Sequence, residues 1–371
     1  MRMPTRCAAL LVICSVVVVF GQEETTFDGR PVRVYSNDKL TLALRSVGGA
    51  MVQLLMRDDP EQLNPLQGLG HFVCVDGFGP VSQEERAAGL PGHGEAHRVP
   101  WDVTSFDRTD GTLTVGFTAR LPLVQEIFRR TIRMVDGESV VYIESELESL
   151  LGFDRPINWG EHATIGGPFL EQGKTVTEMS ASRAQTRSYV SEAVEPPDHH
   201  NLADEKDFTW PIAPTADGGK VDVRVAPTIT PVMDQTTSLM DPSRRLVFVT
   251  AFHPDKKAVF GYVFRREEYP WTQIWDSYPG GSRRSSRGME FAAQPYDLPR
   301  RDVIGANAMF GTPTYRWLPA QSKIGSSFVM FYTRTPDGFA KVDDVSLTAG
   351  KLTIEDRASG KKIVLNASRG L

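Results

Sequence analysis

In Thr131-Ile132-Arg133-Met134 polar and apolar residues take turns, and that two-residue period, repeated along the chain, sets what it can fold into. A strand sends successive side chains to opposite faces, so alternation buries one face of a sheet and leaves the other wet. The pattern predicts strands over 32–36, 40–45, 51–56, 113–118, 128–135 and 140–147. Further strands are predicted over 246–252, 258–265, 272–275, 288–292 and 327–332, with small closing strands over 345–348, 352–355 and 362–365. Connections such as Ser36-Asn37-Asp38 and Asp136-Gly137-Glu138 separate several of them. Helical periodicity is scarce, and 83–88 reads as a turn or two. Many short strands without alternating helices predict an all-β fold, a large antiparallel β-sandwich.

Arg2 and Arg6 precede an apolar run from Cys7 to Phe20, and Gly21 opens a polar, acidic stretch. That order of charge, apolar run and small residue is the pattern of a secretory signal. The run falls short of the roughly 20 apolar residues of a membrane span. The expectation is therefore a signal peptide over 1–21 and one sandwich domain over 22–371. The protein would be exported, periplasmic or secreted, with no membrane span once the signal is removed. Cys7 and Cys14 belong to the signal, which leaves Cys74 without an intrachain disulfide partner. Within His71-Phe72-Val73-Cys74-Val75 it reads as a buried, inert thiol. The 41 basic against 46 acidic residues, a net charge of −5, supply no basic field for nucleic acid or anionic membranes. Nothing in the sequence fixes an oligomeric state.

Three segments concentrate chemistry. The first is Pro91-Gly92-His93-Gly94-Glu95-Ala96-His97-Arg98-Val99-Pro100-Trp101, where glycines and prolines set His93 on a tight turn. The second is Asn158-Trp159-Gly160-Glu161-His162, and the third is Gly288-Met289-Glu290-Phe291 leading to Gln294-Pro295. In an extended segment neighbours face opposite ways, so Glu161 is not the proton partner of His162. Glu290, flanked by apolar Met289 and Phe291, projects away from them. A carboxylate and an imidazole brought together from two strands form a general acid–base pair.

The first segment resembles the His-Gly-x-Ala-Arg…Trp pattern of aldose 1-epimerases and the wider galactose mutarotase-like superfamily. His97 stands at the place of the usual arginine, with Arg98 following. His162 is similar to the family's second histidine and Glu290 to its late glutamate, and the likeness runs over about residues 30 to 335. It implies that Glu290 takes the proton of a cyclic sugar's anomeric hydroxyl while His162 protonates the ring oxygen. The ring then opens, the C1–C2 bond rotates, and reclosure gives the other anomer. His93 would bind the substrate near the ring oxygen. His97, Arg98, Trp159, Trp275 and Asp207 are the remaining substrate-binding candidates, Asp207 standing for the family's additional aspartate. The resemblance implies a small sugar or saccharide as partner, and no metal or organic cofactor.

Other readings are weighed from the residues themselves. His93 and His97 on a strand would lie about 13 Å apart, too far to share a metal ion. Asp198-His199-His200 reads as a solvated loop rather than a metal site. Arg283, Arg284 and Arg287 in a basic loop offer contacts for an anionic sugar, against the plainer reading of a solvated loop. Among Trp101, Trp159, Trp210, Trp271 and Trp275, one or two are expected to touch ligand. The rival functions are a carbohydrate-binding protein without turnover and, less favoured, a polysaccharide lyase or hydrolase, since hydrolysis commonly uses two carboxylates.

Overall fold

Alternation becomes two layers. The structure, a computed structural model, describes residues 23–187, 199–348 and 350–371. The expected signal over 1–21 and Asp198 lie outside the described residues. One sheet has eleven strands in the order Glu23–Phe27, Arg30–Ser36, Leu40–Arg45, Met51–Met56, His71–Val75, Trp159–Gly166, Ser286–Ala292, Trp271–Tyr278, Val232–Met240, Ala181–Thr186, Asp207–Thr209. The other has eight: Val176–Met179, Leu246–His253, Ala258–Arg265, Lys323–Arg334, Val140–Ser149, Glu126–Val135, Thr112–Leu121, Asp102–Thr109. The ladders that build both sheets are antiparallel. The fold is thus the predicted antiparallel β-sandwich.

The sheets face each other across one core, to which Leu42, Met51 and Phe291 contribute from the first and Val115, Phe128, Phe260 and Phe328 from the second. The alternation that predicted the Glu126–Val135 strand appears as strictly alternating buried and half-buried positions. Three closing strands, Asp344–Thr348, Gly350–Asp356 and Lys361–Ala367, form a separate sheet. Its Val345, Leu352 and Ile354 pack on Val140, Phe248 and Phe331, covering the far side of the eight-stranded sheet.

The predicted turn at 83–88 is a one-turn helix, Gln83–Ala87, with a reciprocal capping box between Ser82 and Glu85. A second short helix, Arg300–Ala306, was not foreseen. The strands Ala181–Thr186 and Val232–Met240 were also missed, because Asp234-Gln235-Thr236-Thr237-Ser238 lacks apolar alternation although the run is buried. Among the described residues, no helix is long and apolar enough to cross a membrane.

Candidate active site

The site lies on the face of the eleven-stranded sheet turned away from the main core. There Phe72, Cys74, Phe78 and Ala292 form a cluster of their own. The His-Gly turn is pressed onto this face. His93 has φ +65°, a left-handed backbone that few side chains tolerate. At Gly94, φ +76°, an added Cβ would stand 2.1 Å from the Val75 carbonyl oxygen, so only glycine fits. Gly79 locks the imidazole: its N–H donates to His93 Nδ1 at 3.1 Å, and its carbonyl accepts from His93 N–H at 2.9 Å. A ring nitrogen that accepts from a backbone N–H carries no proton, so the neutral ring keeps its proton on Nε2 as a donor. Burial holds the His93 pKa below the ordinary histidine value despite the opposing charge of Asp297.

His162 comes from the strand Trp159–Gly166 and Glu290 from its antiparallel neighbour Ser286–Ala292. His162 Nε2 stands 3.3 Å from Glu290 Oε1, and both side chains are almost wholly buried. Gly288 makes room for this carboxylate, since a Cβ there would come within 2.6 Å of Glu290 Oε1. The His162 ring stacks on Phe72 with centroids 4.3 Å apart, meets the edge of His93 at 5.0 Å and lies 6.1 Å from Trp275. Burial pushes the Glu290 carboxyl well above the usual glutamate range; the Asp297 charge adds to this and Arg187 opposes it. Burial likewise pushes His162 well below the ordinary histidine value, with His93 adding to the effect. Both shifts run toward the neutral form of the group concerned. His162 Nδ1 is buried with no hydrogen-bond partner.

Beyond Glu290 the wall is made of amides. Gln273 lies directly opposite Glu290 on the next strand, and its Oε1 accepts from Gln235 Nε2 at 2.7 Å. Gln273 Nε2 donates to the Gln294 carbonyl at 3.3 Å. Arg187 bonds Gln235 and the Asp297 carboxylate, and donates to the Asp297 carbonyl at 3.0 Å. Phe72, Gln235, Gln273, Arg187 and Asp297 were not read as site residues from sequence. Gln273 had a usable signal, an isolated amide beside apolar Ile274 and Trp275 in a predicted strand. Arg187 and Asp297, 110 positions apart, had none.

Of the predicted residues, His93, His162, Glu290, His97 and Trp275 gather in one place. His97 lies 5.3 Å from Phe72 and 6.0 Å from His93, ring to ring. The 13 Å separation expected for an extended segment is thus corrected, because the chain turns at Gly94 rather than running straight. Burial holds His97 down at about 4, helped by the nearby His93 and Arg98. Arg98 is exposed and donates to His97 Nε2 at 3.1 Å. Among the described residues, no group of three or more His, Cys, Asp or Glu side chains is placed to hold a metal.

Two predicted ligand contacts are corrected. Trp159 points into the inter-sheet core, fully buried, against Phe128 at 5.9 Å and under the Arg316 guanidinium at 5.2 Å. Three residues from His162 on a strand, it must face the other way. Asp207 occupies the edge strand, bound to Arg183 at 3.0 Å and Gln185 at 2.9 Å. It sits four strands from Glu290, about 19 Å at the spacing of paired strands. Trp101, Trp210 and Trp271 are structural as well: their indole N–H groups donate to Ala96, Glu178 and Pro313. In the basic loop Arg287 is fully buried at the head of the Glu290 strand, so it offers nothing to solvent. Cys74 is buried with its thiol pKa pushed up by burial, 3.5 Å from His93 Nδ1.

The two-sheet antiparallel sandwich of this chain is the galactose mutarotase-like fold. Solved structures bear the assignment out. A galactose mutarotase-like protein from Clostridium acetobutylicum matches 85% of this chain and 98% of its own, with TM-score 0.57 and 11% identity. A galactose mutarotase related enzyme from Lactobacillus acidophilus matches 82% of this chain and 98% of its own, with TM-score 0.53 and 11% identity. A Klebsiella pneumoniae protein named as a candidate aldose 1-epimerase matches 83% of this chain and 80% of its own, with TM-score 0.57 and 12% identity. No family model matches the chain, and no curated protein matches it in sequence. At these identities the likeness is one of fold.

Proposed function

We propose that the protein is an aldose 1-epimerase-like isomerase that interconverts the anomers of a cyclic sugar. The observation that carries this reading is the 3.3 Å His162–Glu290 contact, flanked by the fixed N–H of His93 and the face of Trp275. Names of structures with the same fold support it. The pair carries one mobile proton. With that proton on His162, the Glu290 carboxylate takes the proton of the anomeric hydroxyl while His162 Nε2 delivers one to the ring oxygen. The C1 carbonyl forms as the C1–O5 bond breaks. Reclosure on the other carbonyl face returns both protons with the roles exchanged, so no net proton is consumed. His93 Nε2–H and the amides of Gln273 and Gln235 supply the polar partners that favour the charged form once sugar displaces water. The step calls on no metal or organic cofactor.

Anomer exchange followed by saturation-transfer NMR over a panel of free aldoses tests this. Exchange by the wild type that is lost in Glu290→Gln upholds it. Sugar binding without exchange in the wild type overturns it in favour of a binding protein on the same fold. We also propose export through cleavage near Gly21. Amino-terminal sequencing of the mature protein checks this, and an intact Met1 on secreted or periplasmic material rejects it.

A further inference from the structure

Phe72 stacks on His162 and, together with His97, lines a cavity of about 680 Å³ over the first strands of the eleven-stranded sheet. Its apolar lining includes Ala50, Val52 and Leu69, and its edge carries Arg30 and Arg45. Arg45 donates to the backbone carbonyls of Phe27 and Arg30. Among the described residues, no carboxylate pairs with Arg30 or Arg45. Asp28, the acidic residue of the lining, is bound by Arg284 at 3.1 Å. The groove is therefore cationic on a chain whose net charge is −5. The opposite flank of the pair, with Gln273 and Gln235, is neutral. Apolar atoms suit the C–H face of a sugar ring, and guanidinium groups bind carboxylates with paired hydrogen bonds.

We propose that this groove holds an acidic sugar unit joined to the ring that sits at His162 and Glu290. The substrate is then a uronate-bearing oligosaccharide with a free reducing end, an inference that rests on the isomerase reading and narrows it. The reducing-end ring meets the acid–base pair, and the adjoining uronate lies beyond Phe72 with its carboxylate toward Arg30 and Arg45.

The test compares anomer exchange of a diuronate with that of the matched neutral disaccharide. The wild type should prefer the diuronate by about tenfold in kcat/KM, the scale of a charge-assisted contact, and salt should shrink the preference. Arg30→Gln should bring the ratio toward one. Because Arg45 also ties down backbone, Leu69→Glu, which sets a negative charge at a 47% exposed position on the rim, gives the second test in place of an Arg45 variant. Equal exchange of the two disaccharides by the wild type, or a preference that both variants retain, overturns the proposal and leaves the isomerase standing. Should no sugar exchange at all, calorimetric titration of the diuronate decides: binding abolished by Leu69→Glu upholds the groove and removes the isomerase, and absent binding rejects the groove too.

Discussion

Glu161 and His162 are neighbours in sequence and belong to two buried glutamate–histidine pairs on opposite faces of one sheet. On the core face, Glu161 accepts from His71 Nε2 at 2.8 Å and from Arg130 at 2.5 Å, with the Tyr269 hydroxyl at 3.3 Å. His71 Nδ1 meets the Tyr262 hydroxyl at 3.1 Å. Burial works to raise the Glu161 pKa, but Arg130 and His71 outweigh it and hold the carboxyl below its ordinary range. On the outer face Glu290 has a histidine at 3.3 Å, while the guanidinium that opposes its upward shift, that of Arg187, is bound to Asp297 and Gln235. Burial therefore wins there and the carboxyl is pushed up. A complete set of partners fixes a charge and builds structure. An incomplete set leaves a proton free to move, and leaves His162 Nδ1 unpartnered.

The contrast breaks first at Glu290→Gln. It removes one member of a general acid–base pair, so exchange should fall roughly 10³-fold while the denaturation midpoint holds or rises. Loss of folding with exchange per folded molecule unchanged would make Glu290 the structural partner instead. Glu161→Gln should do the reverse. It leaves Arg130 charged in the core, which costs about 3–5 kcal/mol by chemical denaturation, while the folded fraction keeps its exchange rate. An Arg130→Met change in the same background should recover part of the loss, because it removes the stranded charge.

The two glutamates should also bend the stability curve in opposite directions. Between the ordinary 4.5 of a glutamate and its raised folded value, Glu290 holds a proton in the folded state that the unfolded chain has released. Its contribution is complete below 4.5 and declines as pH rises, by about 1.4 kcal/mol per pH unit. Glu161, with its pKa depressed, contributes above 4.5 and loses that contribution as pH falls through its folded value. Unfolding midpoints of wild type and Glu290→Gln at pH 5, 6 and 7 should therefore diverge, the variant gaining with pH. Parallel curves would show that Glu290 is ionised in the folded protein.

How legible was this in the sequence? Period two exposed the sandwich because half-buried strands alternate by necessity. The same rule assigned Glu161 and His162 to opposite faces. Glu290 was readable from its setting between Met289 and Phe291, and the His93 turn from its glycines. Local pattern failed where a strand is polar on both faces, as at 234–238, and where a contact is made only by tertiary closure, as between Arg187 and Asp297. At Trp159 nearness to His162 in sequence counts for less than the alternation that turns the indole into the core. His97 departs in the other direction: it lies past a turn, so strand geometry does not set its distance from His93.

The mildest test uses the two tryptophans that these faces separate. Trp275 stands on the site face, partly exposed, 6.1 Å from the His162 ring, while Trp159 is sealed in the core. If Trp275 offers its face to the C–H groups of a sugar, it binds the ground state and the transition state alike, because neither proton transfer touches it. Removing such uniform binding raises KM and leaves kcat alone. Trp275→Leu should therefore raise KM about fivefold, the worth of an aromatic contact beyond its area, with kcat within a factor of two. The same substitution at Trp159 should lower the denaturation midpoint and leave KM unmoved. A fall in kcat at Trp275→Leu would show that the indole positions His162 rather than the sugar, which would move it from the binding wall to the support of the acid–base pair.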